Sequence, residues 1–244
     1  VNFTERSRIV LGDEGLERLS RARVAVYGLG GVGGACAVDL VRAGVGSLVV
    51  YDFDVVKESN LNRLAFGYAS TVGMPKAEAF KKIAREINPG AVIDARPLFI
   101  TGAEASLALP ESIDAAVEAV DALTPKAMLL KALRESGTPL VTVLGMAGRI
   151  EPERIRVGPL GETKGCPLAR EVRSRLRRLG VSLDITSVWS DEPPAAPAPP
   201  DGDHGGRGRV RMVLGSLPFV PQAAGHVAAS LAVRMILGLN PRAK

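Results

Sequence analysis

A chain of 244 residues, 46% apolar and 23% charged, can bury a sizeable core, which excludes a mostly disordered protein and suits one large domain. Its two cysteines, Cys36 and Cys166, form no CxxC pair, so a disulfide framework and a four-thiolate zinc site are excluded as well. The net charge of +5 is carried by residues 149–178, which hold nine basic and four acidic side chains, while the other 22 of each sign cancel. Clustered arginine suits phosphate, because the guanidinium fork makes paired hydrogen bonds to anionic oxygens, and nucleic acid is the obvious polyanion; a solvated helix face is the plain alternative. The opening residues lack the basic-then-apolar layout of a secretory signal, and no run of about 18 uncharged apolar residues occurs, so the sequence reads as a cytoplasmic protein without stable membrane insertion.

An amphipathic opening stretch, EGLERLS, leads into a β-branched run at 23–27 (RVAVY) that ends at glycine, as a buried parallel strand does. GLGGVGG at 28–34 comes next, then a helix to about Arg42 and a second strand, SLVVYDFD, that reaches Asp52. Together these make a βαβ unit of about 30 residues. Pro75 suits the first turn of a helix in which Phe80, Ile83, Ala84 and Ile87 recur at i, i+3, i+4 and i+7, and Asn88, Pro89 and Gly90 stop it. Further strands are predicted at 91–95, 114–120 and 139–143, with a helix over 125–135 between the last two. This alternation predicts an α/β fold: a Rossmann-like, doubly wound, mostly parallel sheet with a C-terminal extension.

Beyond Gly148 the pattern changes to a short strand at 154–157 and a basic helix at 168–178. Residues 191–209 hold no large apolar side chain and are predicted to form a mobile crossover loop with the character of a lid. A final helix, about 222–237, is interrupted by His226 and Arg234 and is short for a bilayer, so core packing or a dimer contact fits it better. The expected organisation is a nucleotide-binding core at 1–148 and a substrate or dimer extension at 149–244 within one domain.

The chemistry concentrates at the first βαβ unit. Gly28, Gly30, Gly31 and Gly33 permit a tight turn and close approach of backbone N–H groups to phosphate at a helix N-terminus. Asp52, 19 residues past Gly33, stands where a carboxylate accepts hydrogen bonds from ribose hydroxyls. Alone, that set is a dinucleotide fingerprint. The residues beyond Asp52 point to ATP, whose triphosphate asks for more positive charge: SNLNR offers Asn60, Asn62 and Arg63, and GMPK offers Lys76 on the first turn of a helix. Asp121 in EAVDAL then ends a later strand at the carboxyl edge of the sheet, where a carboxylate can hold Mg²⁺ together with phosphate oxygens. Each residue has a plain alternative, with Arg63 paired to a surface acid, Lys76 solvated and Asp121 capping the next helix. The ordered set is what argues for a nucleotide.

GLGGVG, YDFD, SNLNR, VGMPK, INP and VDAL, in this order, resemble the ThiF/MoeB/HesA-type adenylating enzymes, relatives of ubiquitin-activating enzymes. The resemblance implies that Asp52 binds ribose, that Asn62 and Arg63 contact phosphates, that Lys76 stabilises the triphosphate and that Asp121 coordinates Mg²⁺, with Asp54 and Asn60 among the nucleotide-binding residues. It also implies a homodimer in which Arg6, with Arg8 as second choice, reaches the γ-phosphate held by the neighbouring subunit. Within the family, TPKAMLL, PLVTVLGMAGRIEPERIRV, PLAREVRSRLR, SVWSDEPP and GSLPFVPQAAG are most similar to tRNA threonylcarbamoyladenosine dehydratases. That implies ATP-driven cyclisation of a threonylcarbamoyl side chain through adenylation of its carboxylate, with tRNA as partner and Arg170, Arg173, Arg177 and Arg178 tracking its phosphates.

The sequence departs from that pattern at Cys166, where such enzymes usually carry aspartate before PLA. An incidental thiol is the simpler account of it, against a thioester-forming nucleophile. The main rival is activation of a ubiquitin-like sulfur carrier at its C-terminal glycine, for which the paired CxxC zinc site of many such activators is missing. A nucleotide-binding sensor without turnover would not need Arg6, Arg63, Lys76 and Asp121 together, and an NAD-linked oxidoreductase lacks a well-placed proton donor, since His204 falls in the loop and His226 on the last helix. No residue identifies a sulfur-donor or redox partner.

Overall fold

The structure is a computed structural model that describes residues 3–102, 104–106, 108–199 and 214–240. Its spine is a seven-stranded sheet: β1 (Arg23–Tyr27), β2 (Ser47–Tyr51), β3 (Val92–Arg96), β4 (Ala115–Glu118), β5 (Leu140–Val143), β6 (Ile155–Pro159) and β7 (Thr186–Ser190). They lie in the order β3-β2-β1-β4-β5-β7-β6, all parallel except the β6–β7 pair. The helices are α1 (Glu5–Arg21), α2 (Gly31–Ala43), α3 (Lys76–Ile87), α4 (Leu123–Glu135), α5 (Pro167–Arg178) and α6 (Phe219–Ile236).

Strand side chains alternate between two cores. Val24 and Val26 of β1 and Leu48 and Val50 of β2 join the core that α2, α3 and α6 cover, while Ala25, Tyr27, Val49 and Tyr51 face the core under α4 and α5. Helices on both faces explain why these strands read as unbroken apolar runs. The expected doubly wound sheet is therefore the observed one. α6 lies against α2 at Gly225, where a Cβ would come within 2.4 Å of the Val32 carbonyl oxygen, so the two helices meet backbone to backbone.

Several predicted bounds shift. α1 is longer than the EGLERLS stretch and bends at Gly12 (φ 70°), leaving Ile9 and Val10 77% and 82% exposed on its outer half. Pro75 lies just outside α3, and Lys76 is its first residue. β4 stops at Glu118, so Asp121 stands three residues past the strand rather than at its end, and α4 begins at Leu123 with Ala122, not Asp121, in the capping position. The predicted strand at 154–157 is the edge strand β6, running against β7, which the sequence did not suggest. Of the predicted loop, residues 200–209 lie outside the described residues, as does His204. No helix among the described residues is long and apolar enough to cross a membrane.

Candidate functional site

The strand order reverses between β1 and β4, and the crevice outside the carboxyl ends of strands at such a point is where open α/β sheets take ligands. β1 leaves the sheet through Gly28 at φ 88°, a conformation that side chains other than glycine rarely adopt. The chain doubles back so tightly that a Cβ on Gly33 would lie 1.8 Å from the Gly28 carbonyl oxygen. Among the described residues nothing lies within 4 Å of the Cβ position of Gly30, just before α2, so the turn is open there. Among the described residues no side chain caps α2, whose first-turn N–H groups and dipole are left for an anion.

Asp52 lies just past β2 and is buried. One carboxylate oxygen accepts the Leu29 N–H at 2.7 Å, which ties it to the glycine turn, and the other accepts the Asp54 N–H at 2.9 Å. Lys76 Nζ stands 2.8 Å from Asp54 Oδ2 and 3.8 Å from Asp52 Oδ1. It is thus not a free cation but a nearly buried one held between two acids, and a triphosphate would have to share it with them. Its place is fixed by its own N–H, which donates to the Asp54 carbonyl at 2.9 Å. Burial pushes the Asp52 carboxyl above the usual carboxylate range, with Lys76 the largest opposing influence. Because the folded value is raised, this group's contribution to stability is complete below the unfolded value and lost as pH rises through the folded one. Methionine at Lys76 removes the opposing charge, so the Asp52 titration followed by carbon-13 NMR is expected to move still higher; an unchanged midpoint would show that the lysine does not sense it.

Arg63 is brought to the turn as well. A Cβ on Gly31 would lie 3.3 Å from Arg63 Cγ, so the arginine stem packs on the first residue of α2. Its Nη1 donates to the Ser59 carbonyl and to Asn62 Oδ1 at 2.8 and 2.9 Å, and its carbonyl accepts Gln222 Nε2 of α6 at 3.1 Å. Asn62 Nδ2 donates to the Ser216 carbonyl, whereas Asn60 spends its side-chain oxygen on the Lys57 N–H, stabilising a 3₁₀ turn. Asp121 is exposed, and among the described residues its carboxylate has no hydrogen-bond or ion-pair partner. Arg6 is exposed on α1 beside the uncovered Ile9 and Val10, while Arg8 pairs with Asp13.

The second half corrects two expectations drawn from charge. Arg173 is half-buried and donates to the Thr163 carbonyl and hydroxyl, so it anchors the turn before α5 rather than facing solvent; Arg170, Arg177 and Arg178 are exposed. Arg149 is buried and staples loops together through the Glu192 and Gly145 carbonyls. Cys166 is buried too, and its sulfur accepts the Ala169 N–H at 3.4 Å, capping α5, a structural task in keeping with an incidental thiol. Gly148 (φ 73°) accepts the Ala195 N–H and donates to the Gly215 carbonyl, at 2.7 and 2.8 Å.

One group escaped the sequence reading altogether. Glu118 and Lys126 form an ion pair with no exposure at either side chain, Nζ to Oε2 2.6 Å, on the sheet face covered by α4. Burial raises the Glu118 carboxyl and Lys126 opposes it. Gln222 was missed as well; a glutamine in the first turn of a mostly apolar helix is the signal that could have found it. A cavity of about 530 Å³ lined by Phe3, Arg42, Tyr68, Ile83, Glu86 and Ile87 lies at the far ends of α2 and α3 and shares no residue with the glycine turn.

Comparison with known proteins places the chain by sequence and by fold. The family model of the ThiF family matches residues 4–244. The tRNA threonylcarbamoyladenosine dehydratase of Bacillus subtilis is 31% identical over 237 residues, covering 95% of this chain and 93% of the relative. Solved structures of the E. coli enzyme of that name superpose with a TM-score of 0.86 in complex with AMP (30% identity) and 0.85 in complex with ATP (28%), each covering 96% of this chain and 93% of that one. The sulfur carrier protein adenylyltransferase of Thermus thermophilus is 37% identical over 131 residues, covering 54% of this chain and 48% of its own.

Proposed function

The chain belongs to the ThiF family, and from that premise we propose that it is an ATP-dependent adenylating enzyme that dehydrates threonylcarbamoyladenosine in tRNA to a cyclic form. The observation that carries the substrate is the reach of the likeness: the similarity to the tRNA enzymes runs through both halves of the chain, and that to the sulfur-carrier enzyme through about half. Residues 1–148 hold ATP and residues 149–244 serve substrate and subunit contact.

The triphosphate lies on the turn of Gly28, Gly30, Gly31 and Gly33, and the ribose meets Asp52 and Asp54. Asn60 and Asn62 lie along the phosphates, with Arg63 and Lys76 supplying the charge. The threonyl carboxylate oxygen displaces pyrophosphate from the α-phosphorus. The acyl adenylate is then attacked from within the same side chain, AMP leaves, and water is formally lost. Preplacement makes that second step unimolecular, and preset cations meet the charge that develops in the first. Asp121, exposed and without a partner among the described residues, fits Mg²⁺, which takes one or two carboxylates and completes its shell with phosphate and water; no cluster of three or more His, Cys, Asp or Glu side chains among those residues could hold a metal alone. When bound there, the ion would neutralise phosphate charge.

The exposed outer half of α1 supports a homodimer in which Arg6 serves the neighbouring copy's nucleotide. The protein acts in the cytoplasm, where its tRNA is found. Arg170, Arg177 and Arg178 meet tRNA phosphates, with Arg173 shaping the turn beneath them. Converting those three exposed arginines to glutamate is expected to abolish tRNA-dependent AMP release while ATP affinity holds, because like charges then face the polyanion. Survival of tRNA turnover would remove that role. The substrate itself is tested by AMP formation with tRNA bearing the modified adenosine against a small protein ending in Gly-Gly; stimulation by the second alone would overturn the assignment.

A further inference from the structure

A buried ion pair is a poor way to stabilise a fold, since desolvation of two charges consumes most of what their attraction returns. The Glu118–Lys126 pair must therefore be read by what its atoms hold. All three N–H bonds of the lysine are used: on Glu118 Oε2, on the Val120 carbonyl at 3.1 Å and on the Val143 carbonyl at 2.8 Å. Glu118 Oε1 accepts the Val120 N–H at 2.9 Å, and Oε2 also accepts the Thr142 hydroxyl at 2.7 Å. Both polar groups of Val120 are thus clamped by one ion pair, and the ends of β4 and β5 are joined through it.

Val120 precedes Asp121. On its other side, Ala119 donates its N–H to the Tyr27 carbonyl at 2.8 Å, and its carbonyl oxygen lies 3.0 Å from where a Cβ on Gly28 would sit. Residues 119–121 therefore run from the floor of the glycine turn to the exposed carboxylate. We propose that Glu118, Lys126 and Thr142 are positioning residues that fix the Val120 peptide and thereby set Asp121 in register with the glycine turn for a metal-bound triphosphate. This rests on Asp121 being the residue that holds Mg²⁺. A hydrophobic pair would fill the same space but supply none of the donors and acceptors that the two strand ends require.

The test uses the full chain and the variants Lys126→Met, Lys126→Arg, Thr142→Val and Asp121→Asn. Two quantities are read: the Mg²⁺ concentration that gives half of the tightening in ATP binding by calorimetry, and amide hydrogen exchange in the nucleotide-free protein. Lys126→Met is expected to raise the Mg²⁺ requirement about tenfold or more, as losing a charged hydrogen bond does. It should also speed exchange over residues 119–123 while β2 keeps its protection. Thr142→Val should do both to a smaller extent, and Lys126→Arg should recover part of the loss. Asp121→Asn is expected to raise the Mg²⁺ requirement without changing exchange. If Lys126→Met folds and both quantities stay at wild-type values, the inference is wrong; if it does not fold, unchanged values in Thr142→Val have the same force. A wild-type Mg²⁺ requirement in Asp121→Asn would instead sink the metal role of Asp121, and faster local exchange in Lys126→Met would still report the clamp.

Discussion

Methionine in place of Lys76 is expected to slow AMP formation by roughly 10²- to 10³-fold, the usual loss when one preset group is removed from developing charge. The reason lies in where the lysine already is. Its amino group sits 2.8 Å from Asp54 and 3.8 Å from Asp52 with only 9% of its side chain exposed, so the backbone and two acids hold it in place before any nucleotide arrives. A cation placed in advance needs no reorganisation when the phosphate charge shifts. Its removal also leaves two carboxylates facing each other. Asp54 is half in water, so the expected stability loss is about 1–2 kcal/mol rather than the larger figure for a fully buried pair. Thermal melts and AMP release measured on the same protein separate the two effects. A melt that drops while turnover holds would leave Lys76 a structural role alone.

Alanine at Gly33 is expected to damage both folding and ATP binding, whereas alanine at Gly30 should damage binding alone. At Gly33 the added methyl would overlap the Gly28 carbonyl oxygen, 1.8 Å away, and backbone cannot step aside as a side-chain tip can. Overpacking of that kind costs about 1–3 kcal/mol or more, and if most of it is felt at the turn, ATP binds roughly 100-fold more weakly. At Gly30 the backbone is ordinary (φ −73°) and the methyl meets nothing within 4 Å among the described residues, so the melt should match wild type. That same open space is where a phosphate would approach the N–H groups of α2. Denaturation and ATP titration of the pair give a two-by-two outcome. Wild-type ATP affinity in Gly30→Ala would show that the phosphates do not use that side of the turn.

The first βαβ unit was legible because each of its parts answers a local demand: a β-branched run for a strand buried on both faces, glycines where a Cβ has no room, a carboxylate at the end of the next strand. Features that depend on a partner distant in sequence were not. β7 reads TSVWS, and all five residues are buried, so its serines and threonine gave no apolar run and no alternation. Lys126 looked like any lysine in the first turn of a helix, because nothing local announces that Glu118 and the ends of two strands wait beneath it. The early stop of β4 has the same origin: the Glu118 side chain turns forward onto the Val120 N–H, which is thereby taken from the sheet. Arg173 and Arg149 were counted as surface charge for want of knowing that carbonyl groups surround them.

The two hydrogen bonds at Gly148 bear on how this protein can change. One residue grips the outgoing and returning stretches of the chain at Ala195 and Gly215, so the distance between those stretches is settled by the scaffold, whatever lies between them. Change at Gly148 itself is what this arrangement resists: its φ of 73° suits glycine, and a Cβ there would lie 3.1 Å from the Ala195 nitrogen, so any side chain would loosen both stretches at once.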